Sequence, residues 1–165
     1  MPDLEYLLDD IPSEHFPYEK TFAEAKNHPI MVVHTSGSSG LPKPVVWTHW
    51  ALSTGNQYHL VPSLNEKPTI WGGIFDSCRR VYVALPIFQG VGIAMGITAP
   101  CFHRTVTVLG PPGSMTADVL NAMLDSANID AVNASPSTLE DVTTTPDVLS
   151  KLECLKFIAV VGGES

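Results

Sequence analysis

The densest chemistry in the chain lies just after His34, where Thr35, Ser36, Gly37, Ser38, Ser39 and Gly40 are followed by Leu41, Pro42 and Lys43. Small residues let successive backbone N–H groups turn inward as a concave nest for an anion, and hydroxyls add further donors. A lysine closing such a loop supplies a point charge suited to phosphate. An apolar run, Ile30 to Val33, leads into the loop, and Val45-Val46-Trp47 leads out. A flexible Gly/Ser linker needs neither these β-type runs at its ends nor a fixed Pro-Lys. At average residue usage, the pattern hydroxyl-Ser-Gly-hydroxyl-hydroxyl-Gly-x-Pro-Lys arises by chance on the order of once per billion positions.

Two better-known loops fail on spacing. A Walker A loop places four residues between its glycines and a Gly-Lys-Ser/Thr at its end, whereas Gly37 and Gly40 are closer and Lys43 follows Pro42. A nucleophile elbow needs one residue on each side of its serine between glycines, and Gly37-Ser38-Ser39-Gly40 is too short. Pro44 cannot donate a ladder hydrogen bond and sits naturally at a strand start. The loop is therefore expected to join two strands, with a helix beginning near Thr48.

The run from Thr35 to Lys43 resembles the signature phosphate loop of the adenylate-forming superfamily, which includes acyl-CoA synthetases, luciferases and nonribosomal peptide synthetase adenylation domains. Its flanks, Tyr18-Glu19-Lys20-Thr21-Phe22 before and Trp47-Thr48-His49 after, are similar to adenylation domains of fungal synthetase-like carboxylic acid reductases. The resemblance implies that Thr35, Ser36, Gly37, Ser38, Ser39, Gly40 and Lys43 cradle the β- and γ-phosphates of ATP. Two further segments carry it. Ile87-Phe88-Gln89-Gly90 stands where the family has a strand-Pro-x-Phe-His-x-x-Gly element lining the acyl pocket, with Gln89 in place of the histidine. Glutamine can hydrogen-bond a carbonyl or carboxylate but does not titrate near neutral pH. Gly162-Gly163-Glu164 matches a segment that in the family lies beside the adenine and the acyl group.

The elements that would position these residues can be read in order. Leu4, Leu7, Leu8 and Ile11 have helical spacing. Thr21 to Asn27 suggests a brief helix with Phe22 and Ala25 inward, ended by His28-Pro29. Ile30 to His34 and Val45 to Trp47 are strands around the loop, and Thr48 is a plausible cap for a helix over 49–59. Pro62 to Gly73 reads as loop. Arg80 to Leu85 is a buried strand followed by a Gly-rich apolar helix, and Arg104 to Leu109 is a strand alternating Val with Thr. Gly110 to Ser114 is a turn, and Ser114 or Thr116 can cap a helix striped with Val119, Leu120, Met123, Leu124 and Ala127. Ile129 to Asn133 is a strand, Pro136 and Pro146 each start a helix, and Phe157 to Val161 is a buried strand. Strands alternating with helices predict an α/β domain with a mostly parallel sheet and flanking helices.

Composition narrows the function. Length suits one domain. A net charge of −8 excludes the basic stripe that nucleic acid requires. Cys78, Cys101 and Cys154 are odd in number and widely spaced, so neither a disulfide framework nor a zinc site is expected. The acidic start, Met1-Pro2-Asp3, has no apolar signal core, and a cytoplasmic setting with reduced thiols follows. Ala84 to Phe102 is uncharged and long enough for a membrane span, but Pro86, Gln89, Gly90, Gly92, Gly96 and Pro100 favour a buried strand-loop-helix unit.

The resemblance covers residues 1–165 as the N-terminal part of an AMP-binding adenylation domain, a partial N-terminal lobe. It implies ATP with Mg²⁺, a small carboxylic acid, and a coenzyme A or phosphopantetheine thiol as acyl acceptor, the latter borne by a carrier domain. The family's Tyr-Gly-x-Thr-Glu segment and the C-terminal lobe with its catalytic lysine are not among these residues, and Lys43 is not that lysine. Two expectations follow: an ATP-dependent adenylating enzyme of which these residues carry the phosphate-loop part, inactive or nearly so in isolation; or a non-catalytic fragment that binds nucleotide weakly or not at all.

Overall fold

The computed structural model describes residues 15–35, 41–67 and 69–162. Its first part is an antiparallel hairpin of β1 (Pro29–Thr35) and β2 (Lys43–Thr48), with Val33 opposite Val45 and Thr35 opposite Lys43. Ahead of it, α1 (Phe22–Ala25) is held by a capping box in which the backbone N–H and the hydroxyl of Thr21 both donate to Glu24. Ala25 is buried as expected, but Phe22 is exposed and stacks on the indole of Trp50. Thr48 caps α2 (His49–Ser53), its hydroxyl accepting from Ala51 N–H at 3.2 Å. The helix expected to run through His59 tightens instead into a 3₁₀ stretch, Thr54–Leu60. The hydroxyls of Ser53 and Thr54 donate to the carbonyls of Trp50 and Ala51, which drains the α-helical ladder at that joint.

The second part is a four-stranded, fully parallel sheet of β3 (Arg80–Val83), β4 (Val106–Leu109), β5 (Ala131–Ala134) and β6 (Phe157–Val160), in the spatial order β4-β3-β5-β6. Val81, Val83, Ala131 and Ala159 point to one face, covered by α3 (Ile70–Ser77) and by a helical stretch over 90–103. Tyr82, Val108, Val132 and Ala134 point to the other, covered by α6 (Ala117–Ser126), α7 (Pro136–Thr143) and α8 (Pro146–Leu152), which contribute Leu120, Val142, Val148 and Leu152. The stretch over 90–103 consists of α4 (Gly90–Ile93), a π-helical turn (Ala94–Thr98) and α5 (Ala99–His103). No helix among the described residues is long and apolar enough to cross a membrane.

Two further expectations are corrected. The segment read as loop up to Gly73 holds α3, capped by Thr69, because Ile74 and Cys78 bury against the sheet and tertiary packing overrides the two glycines. The strand β6 is not buried throughout: Ala159 is, while Ile158 and Val160 on the other face stay exposed. On β4, Val106 and Val108 share a face, Val106 exposed near the strand's start and Val108 buried. At the amino ends of the strands, Asp130 ties the sheet together. One carboxylate oxygen accepts from the N–H groups of Arg79 and Arg80, both at 2.9 Å, and the other pairs with Lys156 at 2.8 Å.

Candidate functional site

Lys43 begins β2 directly across from Thr35, the last residue of β1. Lys43 is exposed at this end of the hairpin; Ser36, Gly37, Ser38, Ser39 and Gly40 lie outside the described residues. Along the same face of β2, Trp47 rests at the start of α4. A Cβ placed on Gly90 would lie 3.7 Å from Cζ2 of that indole, an ordinary contact. The hairpin is thus seated on the segment that follows β3.

Phe88 and Gln89 sit in the tight connection between β3 and α4, where Gln89 N–H donates to the Pro86 carbonyl at 3.1 Å. Phe88 is 77% exposed, so it is not a core residue, and it lines an open cleft of about 630 Å³. Gln89 is exposed and holds the extended backbone of a helix cap, with no side-chain capping hydrogen bond. Gly162 follows β6 at φ +104°, in the left-handed region that favours glycine, and a Cβ there would lie 3.9 Å from Cδ of Pro136. Gly163 and Glu164 lie outside the described residues.

The cleft beside Phe88 opens at the carboxyl ends of β3 and β4, and the first turn of α7 walls its far side with Ser137, Thr138 and Asp141. These wall residues were not singled out from sequence; the Ser135-Pro136 start of α7, where the Ser135 hydroxyl accepts from Thr138 N–H, was their only signal. Tyr82 reaches the same cleft, its hydroxyl pressed so close to Gly110 that a Cβ there would lie 2.5 Å away. Burial pushes the Tyr82 phenol up from its ordinary value. A smaller cavity, about 60 Å³, lies under the hairpin between Trp47, Tyr58, Trp71 and Phe75. Phe75 in turn stacks flat on His103, whose Nε2 lies 2.7 Å from the Gly55 carbonyl and so donates to it.

Among the described residues no group of three or more His, Cys, Asp or Glu side chains could hold a metal.

A parallel sheet covered by helices on both faces defines an α/β protein. Residues 4–165 match the model of the AMP-binding enzyme family, and the chain belongs to that family. It is 36% identical over 166 aligned residues to the isocyanide synthase-NRPS hybrid crmA of Aspergillus fumigatus, covering 99% of this chain and 11% of that protein. It is 29% identical to a carboxylic acid reductase of Neurospora crassa, covering 91% of this chain and 14% of that one. The chain thus spans only about a seventh or less of these relatives. Among solved structures, the N-terminal subdomain of Klebsiella oxytoca NpsA in complex with 3-hydroxybenzoyl-AMSN superposes with a TM-score of 0.63 at 19% identity, over 92% of this chain and 35% of that one. The N-terminal domain of FACL13 from Mycobacterium tuberculosis does so with a TM-score of 0.61 at 16% identity, over 82% of this chain and 31% of that one. At such identities the likeness is one of fold: an α/β N-terminal region of adenylate-forming enzymes. The family uses ATP, usually with Mg²⁺, to activate carboxylic acids as acyl adenylates.

Proposed function

We propose that this chain carries the phosphate-loop part of an ATP-dependent enzyme that activates a small carboxylic acid for transfer to a thiol. One observation carries the reading: Thr35 and Lys43, the two ends of the hydroxyl- and glycine-rich segment, are register partners at the end of the hairpin, with the exposed lysine there. In this reaction a carboxylate oxygen attacks the α-phosphorus of ATP. The bond to the β-phosphate breaks, pyrophosphate leaves with that electron pair, and acyl-AMP is formed. A coenzyme A or carrier-bound phosphopantetheine thiol then takes the acyl group and AMP departs. Ser36 to Gly40 and Lys43 hold the β- and γ-phosphates and offset the charge gathering on the leaving pyrophosphate, by positioning and by preorganised electrostatics. Phe88, Gln89 and Gly90 border the acyl group, and Gly162, Gly163 and Glu164 border the adenine. Three unpaired cysteines suit a reducing, cytoplasmic setting.

The test is calorimetric titration with MgATP beside ATP–pyrophosphate exchange with a panel of carboxylic acids. Binding that Lys43→Ala weakens at least tenfold supports the reading; identical binding by both proteins overturns it.

A second reading is that these residues form a non-catalytic unit that holds nucleotide weakly or not at all. It is favoured by the exposed Ile158 and Val160 on β6, an apolar surface on the outer strand of the sheet. Exchange well above background that Lys43→Ala abolishes would sink it.

A further inference from the structure

β4 is the outer strand of the parallel sheet on the side away from β6, and among the described residues no strand pairs with its free edge. The ladder shows which backbone groups face that edge. Val106 N–H donates to the Arg79 carbonyl at 2.6 Å, so Val106 and Val108 turn their N–H and carbonyl groups toward β3. Alternation turns those of Thr105, Thr107 and Leu109 outward. Natural edge strands are blunted by lysine, proline or a bulge. β4 has none of these, since it reads Val-Thr-Val-Leu and its register with β3 is unbroken.

Beside this edge runs an apolar groove of about 490 Å³, between β4 and the helical stretch over 90–103. Ile93, Ile97 and Pro100 wall it on the helical side, and Thr105, Thr107 and Leu109 on the strand side. No lining residue is charged, although the chain has a net charge of −8. The Thr107 hydroxyl donates to the Met95 carbonyl in the π-helical turn. That contact puts its side chain, and by alternation those of Thr105 and Leu109, on the groove's face of the sheet.

An occupant suited to both features brings backbone hydrogen-bonding groups and apolar side chains together, as an added strand does. We propose that this occupant is β4 of a second copy of the chain, joined antiparallel about a two-fold axis through Thr107, so that two sheets become one. The strand is self-complementary in a single register. With Thr107 opposite Thr107, each Leu109 faces the other copy's Thr105, and every outward-facing residue meets another. Sliding two residues one way sets Pro111, which has no N–H, against Thr105. Sliding two the other way sets His103, inside α5, against Leu109. The axis stands perpendicular to the sheet, so both helical stretches lie on one side and the two grooves merge, each receiving the other copy's Leu109. Arg104 falls opposite Gly110 of the second copy, about 20 Å along the strand from that copy's own Arg104. The paired strands therefore bring no like charges together.

β6 stays free at both ends of the joined sheet, so association through Ile158 and Val160 adds to the dimer and can be removed separately. The test is sedimentation of the 165-residue chain carrying Val160→Lys, with amide hydrogen exchange followed by NMR across a dilution series. A dimer is expected, in which the Thr107 and Leu109 amides exchange at least tenfold more slowly than after dilution to monomer. The Val106 and Val108 amides, bonded to β3, should be slow throughout. Ile97→Lys, and independently Leu109→Lys, should each weaken dimerisation at least tenfold with the far-ultraviolet circular dichroism unchanged. A monomer at every concentration overturns the proposal, whether its Thr107 and Leu109 amides exchange freely or are protected by some other segment. So does a dimer in which those two amides stay fast, or one that both lysine variants leave intact.

Discussion

Gly92 packs against Pro86 so tightly that a Cβ on the glycine would lie 2.1 Å from the proline's carbonyl oxygen and 2.6 Å from Cα of Ile87. Both obstacles are backbone, so neither can swing aside. The first turn of α4 and the end of β3 are thereby clamped together, and the short connection carrying Phe88 and Gln89 is held in the shape it has. Gly92→Ala is expected to lower stability by about 1–3 kcal/mol, the usual range for overpacking. Chemical denaturation measures it, and near-ultraviolet circular dichroism should report a disturbance around Phe88 and Trp47.

Lys43 is exposed at the hairpin base, and removing it should cost little stability. A charge-assisted contact to phosphate is worth about 1.5–3 kcal/mol, so Lys43→Ala should weaken MgATP roughly 10- to 100-fold. A melting temperature within a degree or so of the parent, alongside that loss in calorimetry, separates binding from folding.

Asp130 gives the sheet a pH dependence of known sign. Burial pushes its carboxyl up, but the hydrogen bonds from Lys156 and from the N–H groups of Arg79 and Arg80 outweigh that and hold it below the ordinary carboxylate value. The unfolded chain therefore takes up this proton first as pH falls. The stabilisation is complete above the unfolded pKa of about 3.9 and fades as pH drops through the lower folded value. Denaturation across pH 2–6, the range spanning those values, should show Asp130→Asn less stable at the upper end, with the gap closing toward the lower.

Leu120 is completely enclosed under the sheet beside Val132 and Val148. Leu120→Ala should cost about 2–5 kcal/mol, the range for truncating a leucine in a tight core. Urea unfolding followed by far-ultraviolet circular dichroism checks this.

The exposed Ile158 and Val160 share the outer strand β6. Apolar side chains on an edge strand favour association of copies. Self-association should rise with concentration in sedimentation experiments, and Val160→Lys should suppress it without lowering the melting temperature.

Much of this was legible because the signals were local and repeated. The hairpin followed from apolar runs on either side of a Gly/Ser loop, the Pro136 and Pro146 helix starts from proline's fixed φ, and the parallel sheet from strands alternating with helices. The misreadings have one physical source, which is that propensity is decided by neighbours distant in sequence. Gly72 and Gly73 look like breakers, yet α3 forms because Ile74 has a sheet to pack on. Phe22 looks like core, yet it stacks on a surface indole. Asn133 gave no sign at all, since a polar residue at the end of a strand pattern is ordinary until it is seen fully buried with no side-chain hydrogen-bond partner among the described residues. The phosphate loop itself was read from residue types and spacing; of its positions, only Thr35 and Lys43 fall within the described structure.

The π-helical turn at Ala94–Thr98 carries a consequence of its own. Such a turn is an α-helix with one residue too many, and each residue of a regular helix advances the screw by 100°. Residues 99–103 therefore keep their present facing only because of that surplus. Gly96 stands in the turn with open space where a Cβ would be. Deleting it would restore an unbroken α-helix and rotate everything beyond it by more than a quarter turn. Ala99 would leave the sheet, and His103 would lose both the Gly55 carbonyl and the ring of Phe75. The way the hairpin unit and the parallel sheet meet is thus set by a one-residue insertion, a change that a single codon can make or undo.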